Sequence, residues 1–171
     1  MARVIKKTIY PLTYHALNMI DKNSLRFVTY CGLYCRLCAQ HARITRQASQ
    51  LQQTLQEEGY GDFYQHFPEM KNAFPQFSQF LEKLAKFDCT CRSGKGGPSN
   101  CEIRKCARQR RITVCPRCRE YPCQHIQKLA ECYPTLIQDG KRLQKIGVHK
   151  WMEEQEQRVK RGISYSDWKA K

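Results

Sequence analysis

The chain has 171 residues, with 30 Lys and Arg against 15 Asp and Glu, giving a formal charge of +15. That length holds one domain, with or without an extension, and a modest core. No stretch approaches the ~20 apolar residues of a membrane span. Lys6, Lys7, His15, Asp21 and Lys22 break up the region where a secretory leader would carry a continuous apolar run, so a cytoplasmic location is expected.

Residues 1–28 read as an N-terminal extension in which Ile9, Tyr10, Leu12, Tyr14, Leu17 and Ile20 offer apolar surface, and residues 29–168 as a single cysteine-rich domain. Leu25–Tyr30 is β-branched and aromatic and predicts a short strand. Ile44, Ala48, Leu51 and Leu55 recur at i, i+4, i+7 and i+11, predicting a helix that Gly59 stops. Met70, Phe74, Phe77, Leu81 and Leu84 form a second stripe, read as core, with the regular helix starting near Pro75. Residues 89–123 show no hydrophobic periodicity, and the Gly-rich loop 93–99 lacks the Gly-x4-Gly-Lys-Ser/Thr pattern of a phosphate loop. Ile126, Leu129, Ala130, Tyr133 and Leu136 make a further stripe that Pro134 bends or breaks. A turn around 142–146 and Gly147 then precede a last helix with Val148, Trp151, Met152, Gln155 and Val159 inward. The fold class predicted is mainly α, organised by irregular cysteine-rich loops.

Ten of the eleven cysteines fall in two bursts. Cys31, Cys35 and Cys38 form the first; Cys89, Cys91, Cys101, Cys106, Cys115, Cys118 and Cys123 form the second. Thiolates are soft ligands, and Cys-x2-Cys loops let two sulfurs reach one ion, so metal binding is the leading reading. Disulfides and redox-active thiols are its rivals, and an intracellular setting weighs against disulfides. Cys115-Pro-Arg-Cys118 has the form of half a zinc site, without the βα setting of a redox pair. Cys31-x3-Cys35-x2-Cys38 also has the spacing by which radical S-adenosylmethionine enzymes hold an iron–sulfur cluster, but no repeated βα units follow it. A cluster completed by a fourth cysteine stays open as the alternative to zinc. His125 and His41 are secondary candidates, better read as polar surface, and Cys132 reads as a buried small hydrophobe. No deaminase, His-Glu-x2-His or Gly-x-Ser-x-Gly signature is present, so no catalytic residue is assigned.

Tyr30-Cys-Gly-Leu-Tyr-Cys-Arg-Leu-Cys38, Cys91-Arg-Ser-Gly94, Cys101-Glu-Ile-Arg-Lys-Cys-Ala107, Cys115-x2-Cys118-Arg-Glu-Tyr-Pro-Cys123 and Ile146-Gly-Val-His-Lys-Trp-Met-Glu-Glu-Gln155 occur in that order. Over residues 29–168 the chain resembles a bacterial and archaeal family of small cysteine-rich proteins, a domain of unknown function that carries a zinc-binding label. The resemblance implies prokaryotic origin and metal binding, and no activity. The family tends to have Cys-x2-Cys before the Arg-Ser-Gly loop, whereas Cys89 and Cys91 here enclose only Thr90, which puts Cys89 in doubt as a ligand.

The expected arrangement is two metal sites, most simply zinc. One uses Cys31, Cys35, Cys38 and Cys91; the other uses Cys101, Cys106, Cys115 and Cys118, with Cys123 able to substitute. Eight thiolates and two dications would bring the formal charge of +15 to +11, still strongly basic. The expected function is a non-catalytic zinc module presenting a basic surface to a macromolecule, protein or nucleic acid. The alternatives are an iron–sulfur or redox protein using Cys31, Cys35 and Cys38, and a nucleic-acid binder using the basic runs 104–111 and 158–161.

Overall fold

The computed structural model describes residues 25–168, so the apolar positions predicted within 1–24 lie outside the described residues. The described chain holds seven α-helices and no strand: α1 (Thr45–Glu57), α2 (Tyr60–Phe63), α3 (Pro68–Ala85), α4 (Glu102–Gln109), α5 (Gln124–Ala130), α6 (Leu136–Ile146) and α7 (Val148–Lys160).

The predicted strand at Leu25–Tyr30 is a turn with a single antiparallel bridge, Val28 to Tyr34. Val28 N–H donates back to Leu25 O at 2.9 Å, and Gly32 turns the chain at φ +97° before a second strand can form. The segment's branched side chains serve burial instead of a ladder: Leu25 and Val28 lie in the main core.

A π-helical turn, Gln40–Ile44, leads into α1, which packs along α3 as a hairpin. Gly59 stops α1 as expected, in the left-handed conformation at φ +68°. α3 starts at Pro68, seven residues before the predicted start, and carries Pro75 inside it. Phe67 is extended, Pro68 supplies the preset φ of a first helical position, and Phe74 packs on Tyr64 at 5.0 Å; Pro75, eighth in the helix, leaves Lys71 O without its ladder donor, and the helix continues through it. Of the stripe read as core, Leu81 alone is buried, while Met70 and Phe77 are about half exposed.

α6 occupies the region predicted as a turn, and Gly147 (φ +80°) joins it to α7. The main core gathers Val28, Tyr34, Leu37, Val114, Leu143, Val148 and Trp151, with Tyr165 from a terminal 3-10 turn. Ile126, Leu136 and Cys31 form a second cluster beside it, and Leu33 and Tyr133 touch both. Pro134 lies in the break between α5 and α6, as its position predicts. Cys132 sits there too, exposed and outside any helix, which corrects the expectation of a buried residue.

Candidate metal centre

Two Cys-x2-Cys turns of the same construction form the heart of the fold. Cys35–Leu37 is a 3-10 turn in which Cys38 N–H donates to Cys35 O at 2.9 Å; Cys115–Arg117 repeats it, with Cys118 N–H on Cys115 O at 2.8 Å. The closing cysteines have matching backbones, φ −69° and ψ 142° at Cys38, φ −73° and ψ 142° at Cys118. Backbone bonds anchor both turns to the same N-terminal segment: Cys35 N–H to Phe27 O and Cys115 N–H to Tyr30 O, each 2.7 Å. Gly32 lets the second turn approach, since a Cβ there would meet Pro116 Cγ at 3.2 Å.

Further thiols gather around each turn. Burial pushes the Cys35 thiol up to about 12, and nearby Cys91, Cys89 and Cys38 add to it. Burial likewise pushes Cys115 up to about 12, with Cys31, Cys123, Cys106 and Cys118 as its charged neighbours. Cys106, Cys115, Cys118 and Cys123 line a cavity of about 280 Å³ together with His125. Cys31 is within electrostatic reach of both groups, and Cys101 of Cys31 and Cys91. Cys31, pushed to about 11 by burial, has its Sγ 2.9 Å from Thr29 Oγ1 and is raised further by Cys91 and Cys101. Cys91 is raised by burial and then by Cys101, against the lowering effect of Arg104.

The ten clustered cysteines count as one sulfur field because Cys31 lies within electrostatic reach of Cys91 and Cys101 on one side and of Cys115 on the other. Cys101 lies near Cys91 and Cys31, whereas the expected second site grouped it with Cys106, Cys115 and Cys118. Cys89 is close to Cys35 and Cys91, and it owes that place to Gly96: a Cβ there would overlap its sulfur. All eleven cysteines are free thiols. Among the described residues no three Cys, His, Asp or Glu side chains already converge at metal-ligand geometry. The donor chemistry of these neighbouring thiols fits a soft cation.

Arginines hold this region together, and periodicity gave no sign of them. Arg104 is 6% exposed and donates to four carbonyls, Cys91 O, Gly96 O, Pro98 O and Ser99 O, at 2.7–3.2 Å, thereby folding the Gly-rich loop. Arg92 donates to Val28 O and Thr113 O while its guanidinium lies 4.4 Å over the Tyr30 ring. Arg108 donates to Arg92 O and Ser93 O, and Arg110 pairs with Glu120 at 2.7 Å, with Nη1 4.0 Å from Cys118 Sγ. Within the basic run 104–111, Arg104 is buried, while Lys105, Arg108, Arg110 and Arg111 remain exposed. Arg158, in another basic run, pairs with the buried Asp139, and Arg142 pairs with Glu154. His41 is occupied as well, with Nε2 2.6 Å from Cys89 O.

The arrangement defines a small helical domain built on cysteine turns. The chain belongs to the family described as Protein of unknown function (DUF3795), whose model matches residues 27–128. That span takes in both Cys-x2-Cys turns and every cysteine of the sulfur field. Neither a curated protein nor a solved structure matches the chain. Among the described residues no helix is long and apolar enough to cross a membrane.

Proposed function

We propose that the protein is a non-catalytic metal-binding module that holds two soft ions, zinc in the simplest case, through thiolates of its sulfur field. The observation that carries this reading is the pair of equivalent Cys-x2-Cys turns, each with further thiols beside it. Cys35, Cys38, Cys89 and Cys91 would serve one ion and Cys106, Cys115, Cys118 and Cys123 the other, with Cys31 within electrostatic reach of both groups and Cys101 of Cys31 and Cys91. A buried thiolate is disfavoured without a compensating cation, and a bound dication reverses that preference. Arg92, Arg104 and Arg110 add fixed positive charge around the sulfurs, which suits all-thiolate coordination of the structural kind.

The test is elemental analysis with an ultraviolet–visible spectrum on protein purified without oxygen. About two zinc per chain and no visible absorption support the reading. Cys115→Ser should then lose roughly one ion and lower the melting temperature; unchanged metal content and melting temperature would remove the second site as drawn. Iron with sulfide and a band near ~400 nm would instead select the iron–sulfur alternative, whose clusters take four cysteines each as structural zinc does. A cytoplasmic location and a macromolecular partner for the basic surface belong to the same reading. The nucleic-acid alternative loses Arg104 to buried carbonyls and Arg158 to Asp139, which ranks it below the metal module.

A further inference from the structure

The first cysteine turn, the start of α1 and the end of α7 enclose a cavity of about 410 Å³. Three arginines line it: Arg36 from the cysteine turn, Arg43 from the π-helical turn and Arg46 from the first turn of α1. Arg43 and Arg46 are three residues apart, the spacing that puts two side chains on one helix face. Phe27, Val159 and Ile163 supply apolar wall. Among the described residues no Asp or Glu lines the cavity. A hollow of this size, part apolar and with a few charged groups of one sign, has the form of a small-ligand site.

Two of the arginines are held by carboxylates that stand outside the lining. Arg36 Nη1 donates to both Glu156 oxygens, at 2.8 and 2.9 Å, and its guanidinium lies 5.7 Å from the centre of the Phe27 ring. Arg43 donates to Ser166 Oγ at 3.0 Å and to Asp167 Oδ1 at 2.7 Å. Phe27 is held in turn by His41, edge-on at 5.7 Å. Arg46 differs: it is exposed and has no hydrogen bond or ion pair among the described residues. Its charge is uncompensated and its donors are available. Guanidinium groups already held in place lose little freedom on binding, and their planar forks match oxyanions.

We propose that this cavity binds a phosphate monoester, with the phosphate on Arg36, Arg43 and Arg46 and the organic part against Val159 and Ile163. A phosphate offers three acceptor oxygens and up to two charges at neutral pH, so it can engage three arginines at once. A carboxylate has two oxygens and one charge and leaves one of the three without a partner.

The test is a chemical-shift titration of the isotopically labelled full chain, as purified, with phenyl phosphate, benzoate and inorganic phosphate. Phenyl phosphate should give saturable shifts centred on the amides of residues 41–46 and 162–163. Benzoate should bind more weakly for want of charge and oxygens, and inorganic phosphate for want of apolar contact. Arg46→Gln should weaken phenyl phosphate by about tenfold, the loss of one charged hydrogen-bond donor. Its melting temperature should not change, because the native side chain has no partner to lose. Arg46→Lys should restore part of the affinity, and Lys128→Gln, which removes an exposed charge on α5 outside the lining, should leave it as it was. No saturable shift, shifts centred elsewhere, benzoate binding as tightly as phenyl phosphate, or an Arg46→Gln chain that binds like the parent would each overturn the proposal. An equal loss in Lys128→Gln would overturn it too, by reducing the effect to overall charge.

Discussion

Tyr165 ties the end of the described chain to the first cysteine turn. Its ring packs edge-on against Tyr133 at 5.4 Å, and its Oη accepts the Tyr34 N–H at 2.6 Å. Tyr165→Phe keeps the ring and strips a buried amide of its acceptor, so a loss of about 1–3 kcal/mol is expected from denaturant unfolding. Gly140 makes the opposite point about a helix interior. Alanine ordinarily stabilises such a position by roughly 0.5–1 kcal/mol. Here a Cβ would overlap Tyr121 Oη, which packs against α6 and donates to Leu136 O at 3.2 Å. Gly140→Ala should therefore destabilise by about 1–3 kcal/mol, as overpacking does. Adding Tyr121→Phe should recover part of that loss; a Gly140→Ala variant at least as stable as the parent would mean that the ring does not pack there.

At the scale of elements, α6 and α7 are joined by a polar clamp in addition to Leu143, Val148 and Trp151. Arg158 Nη1 donates to both Asp139 oxygens, at 2.9 and 3.0 Å, and to Gln155 Oε1 at 3.0 Å. The Asp139 side chain is only 8% exposed, so Arg158→Ala should cost about 3–5 kcal/mol by leaving a buried carboxylate without its cation. Replacing both by apolar residues should cost far less, and a pair of melting curves separates the two outcomes. No charge-pattern argument would have singled out this Arg from the run 158–161, because its partner is nineteen residues away. The helices with an apolar stripe and a clear stop were legible: α1 before Gly59, α5 before the break at Pro134, α7 after Gly147. α4 was not, because Ile103 and Ala107 are almost its only apolar residues and its buried face is completed by Arg104. The same limit applies to the site. Nine of its cysteines stood out by spacing, but the place of Cys89 depends on a loop that Arg104 folds and Gly96 admits, and neither fact is local to Cys89.

Across the whole molecule, burial of acids that must stay neutral sets an alkaline limit. Tyr165, Tyr34 and Tyr121 are all raised above the ordinary 10.0, with burial the largest cause in each. Below pH 10 these phenols are neutral in both the folded and the unfolded chain, and their contribution is fully present. As pH rises past that value the unfolded chain ionises first, so stability is lost progressively in the alkaline range. Denaturant midpoints should be level near neutrality and fall at alkaline pH, with a shallower fall in Tyr165→Phe.

Metal removal should act differently, because the two halves of the molecule are held by different means. The α6–α7 side rests on an apolar core in which Trp151 and Leu143 are fully buried. The stretch from Cys89 to Cys101 buries only Thr90 and Gly96 and is held by Arg104 and by its own sulfurs. A segment with so little apolar burial cannot offset its ordering entropy of about 1–2 kcal/mol per residue by packing alone. If thiolates in it hold an ion, a chelator should lower the melting temperature and raise amide exchange first across 89–101, while the amides of α7 keep their protection. Exchange that rises evenly over the chain would place the ion's contribution in the apolar core instead. Exchange that does not rise at all in a chelated, metal-free sample would mean that Arg104 and its four carbonyls suffice to hold the loop, and that the sulfurs beside it serve some purpose other than stability.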